Sequence, residues 1–109
     1  MAYKRVSDDT GRLVILFSDI FGGGWSDDIA SVIKQHLHPE RIEEKILKAG
    51  WHTSESEILF SLQDNEFRFH FDDDDTISLK QVSGKLNQEE LERCANVIDM
   101  ETQKLKASR

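Results

Sequence analysis

The stretch from Glu55 to Asp73, ESEILFSLQDNEFRFHFDD, alternates apolar and polar residues on both sides of a short polar centre. Successive side chains of a β-strand point to opposite faces, so this alternation is typical of a hairpin with one buried face. A two-residue turn at Asp64-Asn65 sets Leu62 opposite Phe67. The same register pairs two further sets of apolar residues, Phe60 with Phe69 and Ile58 with Phe71. The middle of the chain is therefore predicted to be a half-buried antiparallel hairpin.

The first half of the chain supplies candidate strands and helices to pack against this hairpin. Residues 3–6 and 12–19 are predicted strands, and the second is apolar on both faces, which is typical of a central, fully covered strand. Ser26 suits a helix N-cap and is followed by apolar residues at helical spacing. Pro39 suits the start of a second helix, and Gly50 is placed to end it.

The last third of the chain is predicted to add one strand and one helix. Residues 76–82 continue the alternating pattern, and Asn87 with Glu90 forms a capping box before an apolar stripe. The predicted order is β-β-α-α-β-β-β-α. We expect a single α+β domain over residues 1–109, with a mostly antiparallel sheet of about five strands packed against three helices.

The net charge of −7 is confined to one part of the sequence. Between residues 51 and 79, eight acidic residues stand against one basic residue, Arg68, and elsewhere acidic and basic residues are equal in number. The acidic residues of this window are Glu55, Glu57, Asp64, Glu66, Asp72, Asp73, Asp74 and Asp75. We refer to the last four as the Asp tetrad.

This charge pattern favours a protein-binding role over nucleic-acid binding. Phosphates attract Lys and Arg, so an acidic chain is not expected to bind nucleic acid directly, whereas a basic protein would be attracted. The leading hypothesis is a non-catalytic inhibitor of the immunity, antitoxin or nucleic-acid-mimicking type, which docks a basic partner such as a nuclease toxin. The alternatives are a small adaptor or regulatory domain with a non-basic partner, or a small enzyme without a recognisable motif. The acidic window could also be only a solvated surface.

Three consecutive glycines, Gly22–Gly24, raise the question of a phosphate-binding loop. A P-loop needs a lysine directly after its glycines, but here Asp27 and Asp28 follow and the next lysine is Lys34. Two carboxylates at a helix N-terminus occupy the position that a phosphate would take. We therefore interpret the glycines as a sharp turn and expect no nucleotide or other cofactor.

The histidines and the cysteine are the remaining candidates for metal binding or catalysis. His36, His38 and His52 could meet in space, but a structural zinc site usually needs four ligands and often thiolates, so no metal is predicted. Cys94 falls on the apolar stripe of the last helix and is interpreted as a small packing residue. No catalytic constellation is found, and we expect no enzymatic activity.

Two tryptophans, Trp25 and Trp51, each follow a glycine next to a predicted helix, where they either cover the ends of the sheet or serve as aromatic anchors for a partner. The longest apolar run is too short to cross a membrane, and the first residues lack the apolar core of a signal peptide. A single cysteine fits a reducing compartment, so a cytoplasmic location is expected. The oligomeric state is left open by the sequence.

Overall fold

The protein is an α+β domain built on one antiparallel sheet. The computed structural model describes residues 3–17, 26–49, 54–71, 77–85 and 87–107. Its strands lie in the spatial order β1-β2-β6-β5-β4-β3. In chain order the elements are β1 (Tyr3–Ser7), β2 (Leu13–Phe17), α1 (Ser26–His36), β3 (Arg41–Ala49), β4 (Ser54–Leu62), β5 (Asn65–Phe71), β6 (Ile77–Ser83) and α2 (Gln88–Ala107).

The helix predicted over residues 39–50 is wrong, because Arg41–Ala49 forms strand β3. His38 has a positive φ of 51°, a backbone conformation that is incompatible with a right-handed helix. The backbone N–H of Glu40 donates a hydrogen bond to the carbonyl of Ser61 in β4 at 2.9 Å. Antiparallel pairing with β4 then overrides the helix-favouring composition of this segment. The described part of the chain therefore has six strands and two helices, where about five and three were predicted.

The hairpin of β4 and β5 is confirmed, but its turn begins one residue earlier than predicted. Gln63 and Asp64, both with positive φ, form the two-residue turn, and Leu62 lies opposite Asn65. Primed turns of this kind match the twist of the strands that they join. Each cross-strand partner shifts by two residues, and the inward-facing pairs become Phe60 with Phe67, Ile58 with Phe69, and Ser56 with Phe71. A shift of two leaves every side chain on its predicted face.

The core lies between the inner face of the sheet and the two described helices. Phe69 is fully buried, with its ring centroid 5.4 Å from that of Phe17 and 5.0 Å from that of Phe71. Ile29 and Ile33 of α1 and Ile98 of α2 belong to the same buried cluster. The inward orientation predicted for Ile77 and Leu79 is confirmed, since both are buried.

Strand β2 was predicted to be covered on both faces, and this is only half correct. Ile15 and Phe17 are buried beneath the helices, but Val14 and Leu16 on the outer face are only half-buried. The strand lies second from one edge, between β1 and β6. Within the described residues, both helices contribute their buried side chains to the core on the inner face.

The final helix begins as predicted. The backbone N–H of Glu90 donates to the side-chain oxygen of Asn87 at 3.0 Å, which satisfies one of the unpaired donors of the first turn. Instead of returning to Asn87, the Glu90 carboxylate accepts two hydrogen bonds from Arg93, at 2.6 and 3.1 Å. The backbone N–H of Asn87 donates to Gln81 of β6 at 2.9 Å, which ties the helix start to the sheet.

Candidate binding surface

One end of the sheet collects several strand termini, and we call it the Phe71 end. Residue pairing runs across all six strands there, through Tyr3, Phe17, Ile77, Phe71, Ser56 and Ile46. Strands β2, β3 and β5 all end at this side of the sheet, and β4 and β6 begin there. The described chain therefore leaves the sheet three times at the Phe71 end, after Phe17, Ala49 and Phe71.

The sequence segments next to these strand ends contain the most distinctive predicted site residues. Trp25 lies between β2 and α1, Trp51 between β3 and β4, and the Asp tetrad between β5 and β6. Gly22–Gly24 and His52 also belong to these segments. All of these residues lie outside the described part of the chain.

Two acids of the window, Glu55 and Glu57, form ion pairs on the outer face of the sheet. Glu57 is only 8% exposed, and its carboxylate contacts the guanidinium of Arg68 on the neighbouring strand. Glu55 contacts the Nε2 atom of His70 at 2.7 Å. Buried carboxylates need such partners, because desolvation of an unpaired charge is costly. Both contacts therefore join β4 to β5, and Arg68 offsets the charge of Glu57.

Asp64 and Glu66 lie at the opposite end of the hairpin from Phe71. Asp64 is exposed in the turn, and the half-buried Glu66 accepts a hydrogen bond from the hydroxyl of Ser83 at 3.2 Å. Strand β5 spans seven residues, so this turn lies about 20 Å from the Phe71 end. The described acids of the window are thus separated in space: Asp64 and Glu66 lie at the turn, and Glu55 and Glu57 lie toward the Phe71 end, as the predicted hairpin implied.

Two lysines on adjacent strands share the outer face of the sheet. Lys45 of β3 lies opposite Glu57, and Lys80 of β6 lies opposite Arg68. In the predicted register Glu57 would have faced Asp72, a like charge. The two-residue shift places it opposite His70 instead. The pairing of Glu57 with Arg68 and of Glu55 with His70 could have been predicted from the sequence only if the turn had been placed one residue earlier, at Gln63-Asp64.

The three described histidines lie in separate parts of the fold. His36 contacts the carboxylate of Glu101 at 3.4 Å, beside a cavity of about 260 Å³ between α1 and α2. His38 is exposed after α1, and His70 pairs with Glu55. Among the described residues, no three His, Cys, Asp or Glu side chains converge as metal ligands would. Neither described helix has the length and apolar character needed to cross a membrane.

Cys94 lies fully buried on α2, among the core residues with which the sequence analysis grouped it. Burial, with a smaller contribution from the nearby Glu90 carboxylate, raises the pKa of the Cys94 thiol to about 12. The thiol therefore stays neutral at physiological pH, whereas nucleophilic cysteines are thiolates in open, electropositive sites. This environment favours a packing role for Cys94.

We expect Cys94 to react slowly with a thiol reagent such as DTNB at pH 8. In the native protein the rate should be at least about a hundredfold below that in denaturant, because both burial and the raised pKa suppress the thiolate. The two rates are measured on the same protein with and without denaturant. Nearly equal rates would contradict the packing role and reopen Cys94 as a nucleophile.

Comparison with known proteins finds no matching family model, no matching curated protein and no matching solved structure. The features of this chain that bear on its function are its charge distribution and the arrangement of its strands.

Proposed function

We propose that this chain is a non-catalytic binding protein that docks a basic protein partner at the Phe71 end of the sheet. An immunity protein, antitoxin or nucleic-acid-mimicking inhibitor works in this way on a nuclease toxin. The observation that carries the proposal is the convergence of strand ends. The segments with the Asp tetrad and with Trp51 each join two strands at this one end, and the segment that contains Trp25 leads from the end of β2 to α1.

The chemistry of these segments suits a partner with a cationic groove. Concentrated carboxylates attract a basic protein over long distances, and tryptophan is among the residues that contribute most binding energy at protein interfaces. Within the original acidic window, the proposal now rests on the Asp tetrad. Glu57 is paired with Arg68, the Glu55 carboxylate contacts the His70 ring, and Asp64 and Glu66 lie at the far end of the hairpin.

A second candidate is an adaptor or regulatory domain whose partner is not basic. The contact of Glu57 with Arg68 favours it, because this ion pair neutralises one of the carboxylates on the outer face of the sheet. In that case the tryptophan-bearing segments would supply the contact, and the Asp tetrad would be a solvated turn.

Affinity capture from cells that express the chain separates the two candidates. The baits are the parent protein, a variant with Asp72 to Asp75 replaced by Asn, and a control that loses four exposed acids elsewhere. The control carries Asp9→Asn, Glu40→Gln, Asp64→Asn and Glu89→Gln, and its net charge equals that of the tetrad variant.

The proposal predicts that the parent and the control capture the same basic protein and that the tetrad variant captures much less of it. Equal capture by all three baits would favour the adaptor hypothesis over docking through the Asp tetrad. Equal loss in both variants would mean that only total charge matters, and would contradict docking through the tetrad.

A further inference from the structure

Strand β3 forms one edge of the sheet and, in the described part of the chain, pairs only with β4. An edge strand presents unpaired backbone N–H and C=O groups, which readily pair with a strand of another chain. Proteins usually protect such edges with short strands, prolines, bulges or charged side chains, and charges repel only a strand that sets like charges opposite them. At nine residues β3 is long, it contains no proline, and its irregularity falls only after Ile46.

The side chains of β3 add an apolar feature to this edge. Ile46 is 78% exposed, more than the other exposed large apolar residue of the described chain, Met100 at 53%. Ile46 lies on the inner face of the sheet, as does Ile42, which packs against the core. Glu43 and Lys45 are exposed on the outer face.

We propose that β3 pairs antiparallel with β3 of a second copy of this chain, about a two-fold axis at Glu44. This register sets Ile42 opposite Ile46 of the partner copy on the inner face, and sets Glu43 opposite Lys45 of the partner copy on the outer face. Because of the two-fold symmetry, each of these residue pairs occurs twice in the dimer. Opposite charges and paired β-branched residues directly across an antiparallel ladder are stabilising.

Charge complementarity selects this register over its neighbours. A register shifted by two residues, with the axis at Lys45, sets the lysines of the two copies opposite each other and leaves no basic residue of the other copy opposite Glu43, whose contact with Lys45 of its own chain is at 3.9 Å. The proposed register has one unfavourable contact, between the two copies of Glu44. Removing that charge should therefore strengthen the association.

Sedimentation equilibrium of the purified protein, up to high micromolar concentration, tests the proposal. We expect a reversible dimer. Lys45→Glu should weaken dimerisation about tenfold or more, because both charge pairs become repulsive. Glu44→Gln should tighten dimerisation. Met100→Lys, on α2, is the control and should leave it unchanged.

The decisive variant exchanges the two charges, Glu43→Lys together with Lys45→Glu. In the proposed register the exchange restores both pairs, so dimerisation should return to the parental level. A parent that is monomeric throughout, or an exchange variant no better than Lys45→Glu alone, would overturn the proposal. All four positions are exposed, and circular dichroism confirms that each variant is folded.

Discussion

Replacing Phe69 with Ala is expected to lower the free energy of unfolding by about 3–5 kcal/mol. The side chain is fully buried, and its ring packs between Phe17 of β2 and Phe71 of its own strand. Truncation removes apolar burial and leaves a cavity at the centre of the sheet, where backbone pairing on both sides restricts collapse.

Chemical denaturation of the parent and the variant measures this loss. Ser61→Ala, on the opposite face of β4, is the matched control and should change stability by less than about 0.5 kcal/mol. Similar losses in the two variants would contradict the assignment of inner and outer faces.

Arg68→Met is expected to destabilise the protein by about 2–3 kcal/mol, although Arg68 is on the outer face. The substitution keeps an apolar stem over the sheet but leaves the carboxylate of Glu57 buried without its cationic partner. An unpaired buried charge costs more than the ion pair contributes, because the desolvation is no longer offset.

The double variant with Glu57→Gln and Arg68→Met distinguishes this cause from simple loss of packing. With the charge also removed, much of the stability should return, and denaturant unfolding of both variants measures the recovery. If the double variant is less stable than Arg68→Met alone, the buried Glu57 carboxylate is not the source of the cost.

The alternating pattern was sufficient to predict which residues of the hairpin face the core. Ile58, Phe60 and Phe69 are all buried as expected. Every register shifted by an even number of residues leaves these apolar side chains on the inner face. For the same reason the alternating pattern could not predict the position of the turn. In the structure the turn lies at Gln63 and Asp64, both of which have positive φ. The ion pairs of Glu55 and Glu57 depend on that register and were missed with it.

Strand β3 could not be predicted from local sequence. The segment RIEEKILKA is rich in good helix formers, and its strand conformation comes from pairing with β4 and from the positive φ at His38. The meeting of three strand ends at the Phe71 end also depends on tertiary structure, because it requires β6 to lie between β2 and β5. Charge counting located the acidic window, and the predicted hairpin already placed Asp64 and Glu66 at its turn.

The association rate of the captured partner with the purified chain, measured against salt, tests docking through the Asp tetrad most directly. The screening length falls from about 30 Å at 0.01 M salt to about 10 Å at 0.1 M, so the parental rate should fall steeply over this range. Replacing Asp72 to Asp75 with Asn should lower the low-salt rate by about tenfold or more and flatten the salt dependence. A variant that associates as fast as the parent at low salt would contradict the proposed docking surface.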